Sequence, residues 1–268
     1  ILIFKETDPT KLPWKDLGID IVVESTGIFT EYEKAKAHLV AGAKRVVITA
    51  PAKDEITPTF TPGLEDIVKI SSLGETEFIT SNASCTTNSV NPVLAILIKR
   101  IGIKKAILTT IHAYTATQNL VDGIVKGHDF RRGRAAGLNI VPSTTGAAEA
   151  TAKVIPSLRG KFDGISIRVP VICGSLSDIT CLTERPTSVE EINNIFKEEA
   201  QKPEWQGILK VTEDQIVSSD ILKEPYGAIV DLTLTKVVDG DLVKVFSWYD
   251  NEWGYCAMLI KHIERLPL

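Results

Sequence analysis

The 268 residues carry 30 lysines and arginines against 34 aspartates and glutamates, a net charge of −4, with 44% hydrophobic and 24% charged side chains. That balance supports an ordinary packed core and argues against global disorder or a nucleic-acid partner. The longest apolar runs, such as residues 93–98, are far too short to cross a bilayer, so no membrane partner is expected.

Residues 1–4 (ILIF) form a short apolar run that stops at a turn around Asp8-Pro9. Residues 20–24 (DIVVE) read as a buried strand running into the polar loop Ser25-Thr26-Gly27. Thr30 is a plausible helix cap with Glu33 three residues on, and the helix should run to about Val40 and stop at Gly42. Residues 44–49 (KRVVIT) are a second strand, so strand, loop, helix and strand compose a βαβ unit with parallel pairing. Residues 50–80 are less regular. Residues 88–100 predict a helix, 106–112 a strand, 126–142 a basic loop, and 143–155 a helix stopped by Pro156. The character then changes. Residues 164–171, 175–183, 228–238 and 242–248 are β-branched runs separated by turn residues such as Asp239-Gly240, which predicts a mainly antiparallel sheet. Residues 188–200 predict a helix among those strands, and 253–265 a closing helix. The chain thus opens as α/β and continues as α+β. Residues 1–85 read as one domain, 86–250 as a second, and 251–268 as a C-terminal helix packing back on the first.

The four cysteines, Cys85, Cys173, Cys181 and Cys256, are widely spaced with no CxxC pair, so a reducing cytoplasm is the default. No secretory signal is visible. Met258 is the one methionine and Ile1 is not a residue normally exposed by initiator removal, so an internal start is expected.

Chemistry concentrates in a few segments. Residues 81–88 (SNASCTTN) place Cys85 directly before a helix, where unpaired backbone N–H groups lower a thiol's pKa. Ser84 and Thr86 offer hydroxyls to an anion at the same helix end. A small buried cysteine at a Ser/Thr-rich cap is an equally ordinary reading. For the other three cysteines the inert reading is favoured. His112 ends an apolar strand, well placed to take a thiol proton; a structural strand-end histidine is the plain alternative. Arg131, Arg132 and Arg134 crowd one loop and Arg168 ends a strand, and guanidinium forks suit phosphate, although solvated ion pairs are more usual for any one arginine. Thr144-Thr145-Gly146 is a second possible anion nest. In residues 248–255 (WYDNEWGY), Asn251 could hold a carboxamide and Tyr255 could pack on a flat ring, while aromatic core is the simpler reading. No GxGxxG occurs.

Together SNASCTTN and WYDNEWGY resemble the two signatures of the glyceraldehyde-3-phosphate dehydrogenase family. ESTGIF, TAPAKDE, RRGRAA, PSTTGAA and RVPV between and before them extend the resemblance over essentially the whole chain. The resemblance implies a partial Rossmann-type parallel sheet lacking its first strands, then a catalytic domain. It implies Cys85 as nucleophile and His112 as base, with a thioester passing to inorganic phosphate. Thr115 and Arg168 are implied as ligands of the substrate's phosphate. Ser84, Thr86, Thr145 and Gly146 are implied as the site of the attacking phosphate, with Arg132 reaching both. Thr26, Gly27, Phe29, Thr49, Asn251 and Tyr255 are implied around the cofactor, NAD or NADP. Glyceraldehyde 3-phosphate and inorganic phosphate are the implied small-molecule partners, no metal is implied, and a homotetramer is the family's usual assembly. The related erythrose-4-phosphate dehydrogenase shares the cysteine and histidine and stands as an alternative, as does a non-catalytic fragment. Departures from the pattern, such as Thr7 before Asp8-Pro9, TPGLE at 61–65, Ser89 in place of a second cysteine, and the stretch 122–130, leave NAD versus NADP open.

Overall fold

The computed structural model describes residues 1–64, 78–125 and 127–267. The expectations for TPGLE at 61–65 and for the basic loop 126–142 therefore fall partly outside the described residues. Contacts divide the chain into two units, Ile1–Ser84 with Leu259–Leu268, and Cys85–Met258.

In the first unit Ile21–Glu24 (β1), Arg45–Ile48 (β2) and Ile79–Ser81 (β3) form a parallel sheet in that order. β2 lies between the others, and all four of its residues are buried, as an uninterrupted RVVI run requires. Val46, Ile48, Ile79 and Ala35 close a small core, with Tyr32, Leu39 and Ala50 packed on it. The single helix expected after β1 is instead two four-residue turns, Tyr32–Ala35 (α1) and Ala37–Val40 (α2). Thr30 does not cap it. Glu31 holds the N-cap position without a side-chain bond to the helix backbone, and Asp54 accepts the Tyr32 N–H at 2.5 Å. A carboxylate from 22 residues downstream thus satisfies the orphan donor, which a local window cannot reveal. Gly42 ends the turn as expected, at φ +106, with the Ala43 N–H reaching back to the His38 carbonyl. Ile1–Phe4 lies outside any strand, with Ile1, Leu2, Ile3 and Phe4 exposed.

The second unit holds a seven-stranded sheet. Its strands are Ile103–Ala113 (β4), Val141–Thr144 (β5), Phe162–Val169 (β6), Ser175–Thr183 (β7), Leu209–Thr212 (β8), Ala228–Val238 (β9) and Leu242–Tyr249 (β10). The order is β5-β6-β4-β7-β10-β9-β8. Four of the six pairings are antiparallel; β4 with β6 and β8 with β9 are parallel. The helix expected over 143–155 is shorter: residues 141–144 pair with β6, and the helix proper is Ala147–Val154 (α4). Pro142 sits on an edge strand, where a missing N–H costs no ladder bond. Val189–Glu199 (α5) starts at Ser188, whose hydroxyl accepts the Glu191 N–H. Trp253–Ile263 (α6) closes the chain.

The element that positions the chemistry is Cys85–Arg100 (α3), lying on β4, β7, β9 and β10. Val90, Val93, Leu94 and Leu97 on it are fully buried. Each such side chain contributes roughly 1.5–3 kcal/mol by leaving water, and Leu94→Ala would cost about 2–5 kcal/mol by opening a cavity. The helix start is therefore held by a packed face and does not float on a loop.

Candidate active site

The chain enters α3 through Ala83, a fully buried non-glycine residue at φ +54. That left-handed turn costs roughly 1–2 kcal/mol, and the next residues place Cys85 as the first residue of the helix. Ser84, half-buried, immediately precedes it. His112 is the second-last residue of β4, on the buried side of its alternation with Thr110. Cys85 Sγ and His112 Nε2 are 3.4 Å apart. Two residues 27 positions apart in the chain thus share one hydrogen.

The tautomer follows from the other ring nitrogen. His112 Nδ1 is 2.6 Å from the Ala113 carbonyl oxygen. A carbonyl has no proton to give, so Nδ1 carries the hydrogen and Nε2 presents a lone pair to the thiol. Arg168 Nη1, 3.0 Å from Nδ1, directs its hydrogens to Ala113 O at 3.2 Å and Thr115 Oγ1 at 3.4 Å.

Burial and then the Arg168 charge hold His112 down to about 4, so it is neutral at physiological pH. Burial pushes the Cys85 thiol up, against lowering contributions from Arg168 and from Thr86. This corrects the expectation of a thiol lowered by the helix end: desolvation outweighs it, and the resting pair is thiol and imidazole. Transfer of the thiol proton to His112 would leave a thiolate that Arg168 favours and an imidazolium that it opposes.

Around the pair lie the anion-binding candidates of the same unit. Thr115 Oγ1 is 3.0 Å from Thr117 Oγ1 and faces Arg168. Arg132 reaches Thr117, Ser143 and the Thr144 carbonyl while pairing with Asp129 at 3.3 Å. Arg131 and Arg134 are exposed and pair with Asp129 and Asp122, the solvated outcome. Gly146 caps α4, and Thr145 Oγ1 accepts the Ala147 N–H. Thr86 is buried, its hydroxyl bonded to Tyr249 at 2.9 Å. Asn251 Oδ1 accepts from Gly174 N and Ser175 Oγ, and Tyr255 is half-buried on α6.

The cofactor candidates of the first unit follow the carboxyl ends of β1 and β2. Glu24, buried, accepts from the Thr26 N–H at 2.7 Å and from the Thr26 hydroxyl. Gly27 has φ +72, which a side chain would strain. Thr49 Oγ1 donates to the Glu24 carbonyl at 3.2 Å. Phe29 meets His38 edge-on, with centroids 6.1 Å apart.

Sequence reasoning missed Tyr249. Its hydroxyl joins Thr86 to Thr110 at 2.9 and 2.8 Å, and its ring meets His112 edge-on at 5.9 Å. Burial pushes its hydroxyl well above the ordinary tyrosine range. It therefore stays a neutral post under the thiol–imidazole pair. The only signal was its place inside WYDNEWGY. Among the described residues no His/Cys/Asp/Glu cluster could hold a metal ion.

A parallel α/β unit joined to a sheet that carries a thiol–imidazole pair fits the class of enzymes that work through a cysteine. Family models narrow this: the NAD binding domain of glyceraldehyde 3-phosphate dehydrogenase matches residues 1–32, and its C-terminal domain matches residues 84–251. Glyceraldehyde-3-phosphate dehydrogenase of Clostridium pasteurianum is 48% identical over 268 residues, covering 98% of this chain and 77% of the relative. The Mycobacterium avium enzyme is 52% identical over 257 residues (94% and 72%), and that of Streptomyces coelicolor 46% over 266 residues (97% and 76%). The chain belongs to the glyceraldehyde-3-phosphate dehydrogenase family and is an oxidoreductase with an NAD-type cofactor.

Proposed function

We propose that this protein oxidises glyceraldehyde 3-phosphate to 1,3-bisphosphoglycerate through a thioester on Cys85, with inorganic phosphate as the acyl acceptor. The observation that carries the reading is the 3.4 Å contact between Cys85 Sγ and a neutral His112 Nε2.

His112 takes the thiol proton as sulfur bonds to the aldehyde carbon, giving a thiohemiacetal. The imidazolium gives its proton to the new oxygen, and the neutral ring takes it back as the carbon loses hydride, leaving the thioester carbonyl. A thioester on Cys85 retains the energy of oxidation, and phosphate oxygen displaces the sulfur to release an acyl phosphate. Arg168 and Thr115 suit the substrate's phosphate, Arg168 having no carboxylate partner among the described residues and an unbonded buried Nε. Ser84, Thr145, Gly146 and Arg132 suit the attacking phosphate. The Thr86 hydroxyl, held by Tyr249, lies against the Cys85 sulfur and also suits the attacking phosphate.

The donor set fits an NAD-type cofactor. Asn251 has both lone pairs of Oδ1 engaged by Gly174 and Ser175, so its NH₂ is the end presented to a carboxamide. Thr26, Gly27, Phe29 and Thr49 would serve the dinucleotide in the first unit, and Tyr255 would line the nicotinamide side. Bound NAD+ supplies the hydride acceptor.

Exposed Ile107 and Ile165 on the sheet of the second unit, and exposed Leu120, Ile124 and Phe130 in its loops, support a homotetramer. Unpaired thiols at all four cysteines suit a reducing cytoplasm.

Following NADH absorbance with purified protein and glyceraldehyde 3-phosphate tests the reading. Turnover should require inorganic phosphate. Phosphate-independent turnover, or oxidation confined to erythrose 4-phosphate, would overturn it.

A further inference from the structure

We infer that Ser175 is a positioning residue that couples the orientation of the His112 base to that of the Asn251 carboxamide. The inference deepens the dehydrogenase reading and rests on it. Three observations within the second unit carry it. First, Ser175 is 1% exposed and its hydroxyl is used in both directions: it accepts the Ala113 N–H at 3.2 Å and donates to Asn251 Oδ1 at 2.9 Å. Second, Ala113 is fully buried, and its carbonyl is the acceptor that fixes the His112 tautomer at 2.6 Å. The N–H and C=O of one residue are thus held by Ser175 on one side and by His112 on the other. Third, the Gly174 N–H supplies the second donor to Asn251 Oδ1 at 3.1 Å. Gly174 has φ +94, and a Cβ there would lie 2.6 Å from the Ser218 carbonyl, so only glycine brings that N–H into place.

The consequence is directional. An asparagine amide can present either end; two donors on Oδ1 leave one answer, NH₂ outward. Ser175 contributes one of those donors and spends its lone pair on the residue that sets which nitrogen of His112 is the base. One buried hydroxyl therefore keeps the proton acceptor and the carboxamide donor in step, a link between a strand end and a strand-to-helix corner 76 residues apart.

A double-mutant cycle tests it. Ser175→Ala in the purified protein should raise the Kd for NAD+ by about fivefold, the size of one ordinary hydrogen bond. In the Asn251→Ala background the same change should move Kd by less than about twofold, because the coupling partner is gone. In parallel, iodoacetamide alkylation of Cys85 without cofactor should slow about two- to fivefold in Ser175→Ala and by a smaller factor in Asn251→Ala, which unties one end of the Ser175 hydroxyl and leaves its bond to Ala113 in place. A residue that merely fills space would not give this split. Ser175→Cys, of similar size, serves if the alanine variant does not fold, and should show the same two effects. Costs that multiply across the cycle, or an unchanged alkylation rate, would overturn the coupling alone. A parent protein that binds no NAD+ would overturn the dehydrogenase reading and the coupling with it.

Discussion

Two buried histidines make opposite uses of the same physics. His112 and His262 are 4% and 1% exposed, and burial is the largest cause holding both low, to about 4 and about 3. His262, on α6 in the first unit, accepts from Thr80 Oγ1 at 3.1 Å through Nε2 and donates to Asn82 Oδ1 at 3.1 Å through Nδ1, with Phe60 stacked 4.8 Å away. Its partners do not titrate near neutrality, so the ring is a fixed joint. His112 differs in one partner: its Nε2 faces a thiol. Desolvation makes a histidine neutral; the acidity of what it faces decides whether it becomes a base.

Breaking the reactive end of the comparison should give the largest effect. Cys85→Ser is expected to lower turnover by on the order of 10⁵-fold and to leave no thioester detectable by mass spectrometry of the intact protein; a stoichiometric acyl adduct elsewhere would refute the assignment. His112→Asn should cost about 10²–10⁴-fold in kcat while leaving the Kd for NAD+ within about twofold, and should slow alkylation of Cys85 at neutral pH. An unchanged alkylation rate would remove His112 from the base role.

Arg168→Gln sharpens the electrostatic part. The KM for glyceraldehyde 3-phosphate should rise about 10–100-fold, the loss of a charged hydrogen-bonding partner, with a much smaller change for unphosphorylated glyceraldehyde. The acid limb of Cys85 alkylation, set near pH 4 in the parent by His112, should move upward when the neighbouring cation is gone, though not fully, because burial is the larger cause.

The smallest effect on chemistry belongs to the structural histidine. His262→Ala should lower stability by about 2–4 kcal/mol and leave the Cys85 alkylation rate unaltered. The sign of its pH dependence follows from a folded-state pKa below the unfolded one: the unfolded chain takes up the proton first. Stability is fully present above about 6.5 and is lost as pH falls towards about 3, at roughly 1.4 kcal/mol per unit. Denaturant melts of the variant should show a slope shallower by about that amount; equal slopes would place His262 outside the acid response.

Much of this was legible along the chain. Ser175–Thr183 matches its β-branched run to the residue because burial on one face imposes a period of two, and Ala228–Val238 matches as a run whose first five residues are all buried. Contiguous motifs singled out Cys85, His112 and Arg168, whose side chains lie together in the structure. What escaped depends on contacts made at a distance. Leu209–Thr212 is a four-residue edge strand whose pattern is too short to register. Tyr249 and Ser175 matter only because folding brings Thr110, Ala113 and Asn251 to them. The rise of the Cys85 thiol was hidden for the same reason: a helix end can be read locally, but the desolvation that outweighs it comes from the surrounding fold.

Arg168 carries a further consequence. It is a largely enclosed cation whose hydrogen-bond acceptors, the Ala113 carbonyl and the Thr115 hydroxyl, are uncharged. Any small oxyanion that settles against it binds the folded chain and not the unfolded one, so its concentration adds directly to stability. The melting temperature is then a property of protein and buffer together. The same preparation should look robust in a phosphate-rich extract and fragile after dialysis into chloride.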